Sequence, residues 1–244
     1  MAAKYAVILR RWKMKFENTQ VYGFENAIIG MRLPMCKDYS EARSKSDSFT
    51  EQGSYKHIIG DNDLDLMKRL IRADENASGQ PNSKFLRMIH CQVAITAPLY
   101  WWKEADTYKI ATVTNSTSTM HKLANYPITV DCFEMDDFAE EIIDVRSATD
   151  ITKSASINQI WKKLIDNLES LRLFYNQTKD KRYWKELIRL LPESWLQTRM
   201  FDCNYQTLRN IYHSRKNHKL EEWHTFCDWI KRLPYAEELI TDEK

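Results

Sequence analysis

The residue types best suited to chemistry fall in two stretches. The first, "TYKIATVTNSTST" at residues 107–119, is dense in hydroxyl and amide side chains and follows the aromatic run "APLYWWKEAD". Ser, Thr and Asn compete for backbone hydrogen bonds and favour turns, so a solvated loop fits it. A cradle of small donors for a polar ligand fits it as well. The second stretch, "CNYQTLRNIYHSRK", holds Asn204, Asn210 and Arg215. A guanidinium is permanently charged and presents a planar fork of donors, which suits it to stabilising an oxyanion. Taken singly, Asn204 also reads as the cap of the following helix, and Arg215 as a partner for carbonyls at its C-terminal end.

Other chemistries find less support. The five glycines are well separated, so neither a dinucleotide fingerprint nor a phosphate loop is present, and any nucleotide must be held by side chains and helix ends. His213, His218, His224 and Cys227 share one region, but their intervals match no zinc ligand ladder, and no metal site is expected. Asp136, Asp137, Glu140 and Glu141 sit at helical spacing and read as a solvated acidic face. No nucleophile elbow, zincin helix or papain-like cysteine context occurs. Five scattered cysteines without pair spacing read as free thiols of a reducing compartment.

A chain of 244 residues with 43% hydrophobic and 12% aromatic content can build a substantial core to position such residues. Basic residues alternate with aromatics in "LRRWKMKF", "KDKRYWK" and "YHSRKNHK", a pattern suited to single-stranded nucleic acid. The net charge of +2 argues against phosphate-backbone binding as the main task. No run approaches the ~18 apolar residues of a membrane span, and the protein is expected to be cytoplasmic.

The pattern along the chain predicts strands at "KYAVILRRW", "FLRMIHCQVAITAP" and "TRMFDC". It predicts helices at "NTQVYGFENAIIGMRL", "DNDLDLMKRLIRADE" (capped by Asp61 or Asp63), "LYWWKEADTYK" and "RYWKELIRLL". The long helix "SASINQIWKKLIDNLESLRLFYNQT" carries Ile157, Ile160, Trp161, Leu164, Leu168, Leu171 and Phe174 on one face, with Ser154 or Ser156 as cap. Helices at "NYQTLRNIYHSRK" and "KLEEWHTFCDWIKRL" follow. Strands early and helices late, with no clear linker, imply one α+β domain over residues 1–244.

Two regions together resemble the flavin-dependent thymidylate synthases. The first runs from Phe85 to Leu123: a strand ending "AITAP", the helix "LYWWKEAD", then the polar stretch. The family there has Arg-His-Arg, seven residues and Ser, against Thr107, Tyr108, Lys109 and Thr117 in this chain. The second runs from Leu190 to Trp229, where Asn204, Asn210 and Arg215 keep the family spacing without a gap, and Glu222 and Trp223 follow after one inserted residue. The departures are in charge. Thr107 and Tyr108 replace Arg and His, and the family's phosphate-binding arginine falls on Thr119, with His121 and Lys122 close by. Arg189 lies one residue off another nucleotide-contacting arginine, and "PNSKFLRM" lacks the family's flavin-contacting histidine.

The resemblance implies an antiparallel sheet packed with long helices, and a homotetramer with sites between subunits. It implies FAD as cofactor, a dUMP-like pyrimidine nucleotide as substrate, and NADPH and methylenetetrahydrofolate as further reactants. Arg215 would contact the pyrimidine and be the catalytic residue. Asn204, Asn210, Tyr108, Lys109 and Thr112 would serve the flavin, and Thr117, Ser118, Thr119 and Arg189 the nucleotide. Neutral donors hold phosphate less strongly than arginine, whose charged hydrogen bonds are roughly twice as strong. A non-catalytic nucleotide-binding or interaction protein on the same scaffold is the alternative expectation.

Overall fold

The computed structural model describes residues 14–51, 57–75, 82–135, 142–145 and 153–241. The strand expected in "KYAVILRRW" and the quartet Asp136, Asp137, Glu140 and Glu141 lie outside the described residues.

Where one helix was expected across "NTQVYGFENAIIGMRL", strand β1 (Lys15–Tyr22) gives way to helix α1 (Phe24–Arg32). Gly23 causes the break. Its φ is 96°, and a Cβ there would lie 2.2 Å from the Met88 carbonyl oxygen, so only glycine fits. Helix α2 (Tyr39–Ser44) is capped by Asp38, and β2 (Phe49–Thr50) pairs antiparallel with β3 (His57–Ile58).

Helix α3 (Asp61–Glu75) spans the expected residues, but neither expected aspartate caps it. The carboxylate of Asp47 accepts from the Asn62 and Asp63 backbone N–H groups at 2.9 and 3.1 Å. Asp63 is fully buried and accepts instead from Arg32 at 2.6 Å, Ser46 at 2.7 Å and the Ser48 hydroxyl at 2.6 Å. Burial alone would raise its pKa. The hydrogen bonds from Ser48, Ser46 and Arg32 outweigh that and hold the carboxyl below its usual range.

Strand β4 (His90–Pro98) buries Cys91, Val93 and Ile95 on one face and runs into α4 (Leu99–Ala105). Then come β5 (Val113–Ser116), the antiparallel ribbon β6 (Ile142–Val145) with β7 (Lys153–Ser156), α5 (Ile157–Thr178) and α6 (Lys181–Arg189). The chain ends in β8 (Leu196–Asn204), α7 (Tyr205–Arg215), α8 (Glu221–Ile230) and a π-turn at Glu237–Thr241. Four strands form one sheet in the order β1-β4-β8-β5, so β4 is central as its apolar run requires. The architecture is α+β, an antiparallel sheet with long helices.

Residues cluster into two compact units. Among the described residues, the first comprises those within Thr96–Glu104 and Ser116–Thr198. Its core joins Leu123, Ile128, Phe133, Ile165, Leu168 and Leu187. Ile165, Leu168 and Arg172 are the buried side of α5, while Ile160 and Phe174 of the expected stripe are exposed. Phe174 is nine residues beyond Ile165, about half a turn out of phase at ~3.6 residues per turn. Ser156 immediately precedes α5, and Ser154 lies within β7.

The second unit comprises the described residues within Met14–Ile95, Ala105–Asn115 and Arg199–Lys244. Its core is aromatic: Phe201, Tyr205, Tyr212, Trp223, Phe226 and Trp229 are buried, and Phe16 stacks on Trp229 at 5.1 Å. Among the described residues no helix is long and apolar enough to cross a membrane.

Candidate functional site

The site that best deserves that description is built in the second unit around Arg215. The residue ends α7, a helix that starts well because Asn204 accepts from the Thr207 N–H at 2.9 Å. At the far end, the Arg215 Nε–H donates to the Tyr108 hydroxyl at 2.7 Å. Its guanidinium carbon lies 4.8 Å from the Trp223 ring centroid and 5.4 Å from that of Tyr108. Both distances are within cation–π range. The rings meet edge to face at 6.1 Å, and His218 sets its own edge against Trp223 at 6.1 Å. Trp223 is buried and rests on Phe226 at 5.7 Å, which anchors the pair to the core.

The stretch carrying Tyr108 is fastened to β8 and α7 at three points. Asp106 pairs with Arg199 at 2.8 Å, Tyr108 accepts from Arg215, and the Ile110 carbonyl accepts from the Thr207 hydroxyl at 3.1 Å. Just beyond the last tether Ala111 takes a φ of 54°, and Ile110 and Val113 face solvent. The first half of the hydroxyl-rich segment is thus a fixed strap. Thr112 contributes locally, its hydroxyl donating to the Tyr108 carbonyl. Thr107 and Lys109 are exposed on the strap.

The residues expected to act together are distributed as follows. Tyr108, Thr112 and Arg215 are joined by direct hydrogen bonds. Asn204 is 4% exposed, and its side-chain oxygen holds the start of α7. Asn210 is exposed and accepts from Gln206 at 3.1 Å. Asn204 and Arg215 stand at opposite ends of α7, about 16 Å apart at ~1.5 Å rise per residue, so within one chain they do not meet at one point. Thr117, Ser118, Thr119 and Arg189 belong to the first unit. There the Thr117 N–H donates to the Thr198 carbonyl, Ser118 accepts from the His121 N–H at 3.0 Å, and exposed Arg189 is ion-paired with Glu186.

The family resemblance makes Tyr108 a flavin contact, whereas its hydroxyl orients Arg215, a role the sequence does not itself reveal. The signal available was the Trp223 match, since a tryptophan kept near an arginine invites stacking. The three buried cysteines are not poised as nucleophiles. Burial pushes the Cys91 thiol up to about 12 and Cys227 to about 11, and it raises Cys203 well above its ordinary value. No group of three His, Cys, Asp or Glu side chains able to hold a metal occurs among the described residues.

No protein-family model matches the chain, and comparison with curated proteins gives no match. Solved structures do match. The flavin-dependent thymidylate synthase from Helicobacter pylori complexed with FAD and dUMP superposes with a TM-score of 0.59 at 16% identity, covering 95% of this chain and 99% of that one. The UMP/dUMP methylase PolB from Streptomyces cacaoi bound with 5-Br dUMP gives a TM-score of 0.55 at 15% identity, covering 95% and 96%. Identity this low speaks for architecture, and over nearly its whole length this chain has the fold of the flavin-dependent thymidylate synthases.

Proposed function

We propose that the protein is a divergent flavin-dependent thymidylate synthase-like enzyme that binds FAD and a dUMP-like pyrimidine nucleotide, and methylates or otherwise modifies C5. The observation that carries this reading is the held guanidinium. Arg215 is fixed by the Tyr108 hydroxyl and the face of Trp223 at the end of α7, on a fold whose solved relatives include an FAD- and dUMP-bound enzyme. A pre-positioned charge does not have to reorganise as negative charge develops on a pyrimidine carbonyl, and such charge builds up when C5 becomes nucleophilic.

The donor set fits a flavin in part. Lys109 and Asn210 are exposed and would hold the cofactor, Lys109 against its diphosphate and Asn210 by its amide. Tyr108, Thr112 and Asn204 are already engaged with Arg215, the Tyr108 carbonyl and the Thr207 N–H. When bound, FAD would supply hydride transfer, with NADPH and methylenetetrahydrofolate as expected reactants. The roles of Thr117, Ser118, Thr119 and Arg189 toward the nucleotide phosphate, and assembly as a tetramer, rest on the sequence resemblance.

A second reading, a nucleotide-binding or interaction protein without turnover, is favoured by the same engagement of Asn204 and by the neutral residues Thr107 and Tyr108. One experiment separates the two. Protein reconstituted with FAD is expected to turn yellow, with dUMP changing the flavin spectrum and stimulating NADPH oxidation. Arg215→Ala should lower dUMP-dependent turnover by roughly 100-fold or more, the scale of losing one oxyanion-stabilising donor. Protein that takes up no flavin, or an Arg215→Ala variant with unchanged turnover, removes the enzymatic reading.

A further inference from the structure

A concave site lies in the second unit, away from Arg215 and independent of the reading above. It is a cavity of about 1090 Å³ where the end of β1 and the start of α1 meet Thr50, His57 and the segment Arg232–Tyr235. Its walls are rings. Phe24 stacks parallel to His57 at 6.4 Å with an interplanar angle of 1°, and Tyr235 meets Phe24 edge to face at 5.7 Å. Tyr22, 46% exposed, forms a further wall and is backed by a stack on His90 at 5.7 Å. The walls are braced, because the Tyr235 hydroxyl accepts from the Ile59 N–H at 2.9 Å. Rigid flat faces favour a flat guest.

Polar groups at the cavity add a sign. His57 has its Nδ1 against the Thr50 hydroxyl at 3.1 Å, while its Nε2 is buried without a hydrogen-bond partner among the described residues. Buried polar atoms are rarely left so. Desolvation, ahead of the nearby charges of Glu25 and Arg43, lowers the His57 pKa, so the ring contributes hydrogen bonding rather than charge. Among the described residues lining the cavity, the cation is Arg232, exposed at the rim. The other charged liner, Glu25, has its carboxylate 3.9 Å from Arg43.

We infer that this cavity is a binding site for a planar aromatic molecule carrying an anionic group, its ring between Tyr22, Phe24 and Tyr235 and its anion at Arg232. Neither the strap at Tyr108 nor Arg215 takes part in it.

The probe is 1-naphthoate, with the neutral 1-naphthamide as its control, titrated calorimetrically into the whole protein. Saturable one-site binding of naphthoate is expected, with the amide about tenfold weaker for want of a charge-assisted contact. Arg232→Gln should bring the two ligands to equal affinity, and Tyr22→Ala should weaken both at least several-fold. Both side chains are substantially exposed, so the variants are expected to keep the wild-type circular dichroism spectrum and melting curve. Arg215→Ala should leave naphthoate binding unchanged. Failure of naphthoate to saturate, or affinities unmoved by both Tyr22→Ala and Arg232→Gln, would overturn the assignment. Loss of binding in Arg215→Ala would instead place the probe at the other site and overturn it equally.

Discussion

The two ends of α7 use polar side chains for different purposes. At the N-terminal end Asn204 is buried, and its amide oxygen satisfies a helix N–H three residues ahead. At the C-terminal end Arg215 reaches away from its own helix to Tyr108 and Trp223. The first interaction is local and would form in almost any chain with that cap. The second joins residues 107 positions apart and exists only because the fold brings the strap to the helix. Equal spacing to a family motif therefore carries unequal functional weight. A residue that completes its own helix has a sufficient reason to be there, whereas a cation enclosed by rings from elsewhere calls for a further one.

The most damaging way to probe the C-terminal end is Trp223→Ala. The indole is buried and touches Arg215, Tyr108, His218 and Phe226, so truncation removes apolar contact and leaves a cavity. A loss of about 3–5 kcal/mol is expected from denaturant unfolding. A loss below about 1 kcal/mol would mean that the ring does not anchor the cluster, and the contrast between the two ends would fail.

Asn204→Ala should cost less, about 0.5–2 kcal/mol, the usual range for removing a cap. Asn204→Ser sharpens the comparison, since serine caps nearly as well but has no amide. If Asn204 serves only the helix, the serine variant recovers most of the lost stability and binds flavin as the wild type does. Recovered stability with weakened flavin uptake would give this end a ligand role too.

Legibility followed the same division between local and distant causes. Helix α3 was readable residue for residue because its stripe of Leu64, Met67, Leu70 and Ile71 is periodic. Its cap was not, because Asp47 arrives from outside the helix and leaves Asp63 to bind Arg32. The boundary between β1 and α1 was missed because nothing local to Gly23 shows that the Met88 carbonyl sits against it. In the site, the identities of Arg215 and Trp223 were visible as spacing. That Tyr108 holds the guanidinium was not, since a tyrosine in place of a histidine looks like plain loss until its hydroxyl is seen at 2.7 Å from Nε. The aromatic cavity at Tyr22, Phe24, His57 and Tyr235 joins three distant places in the chain and has no linear signature.

The finest test is Tyr108→Phe, which keeps the ring over Arg215 and removes only the acceptor for its Nε–H. A hydrogen bond to a charged donor is worth about 1.5–3 kcal/mol when buried, and both partners here are only partly buried, so a stability loss below about 1.5 kcal/mol is expected. The more specific readout is the Arg215 Nε–H resonance. It should exchange slowly with solvent in the wild type, quickly in Tyr108→Phe, and unchanged from wild type in Asn204→Ser. Should the proton exchange equally fast with and without the hydroxyl, Arg215 is not held by Tyr108. The two ends of α7 would then differ in burial alone, and the pre-positioned cation would lose its physical basis.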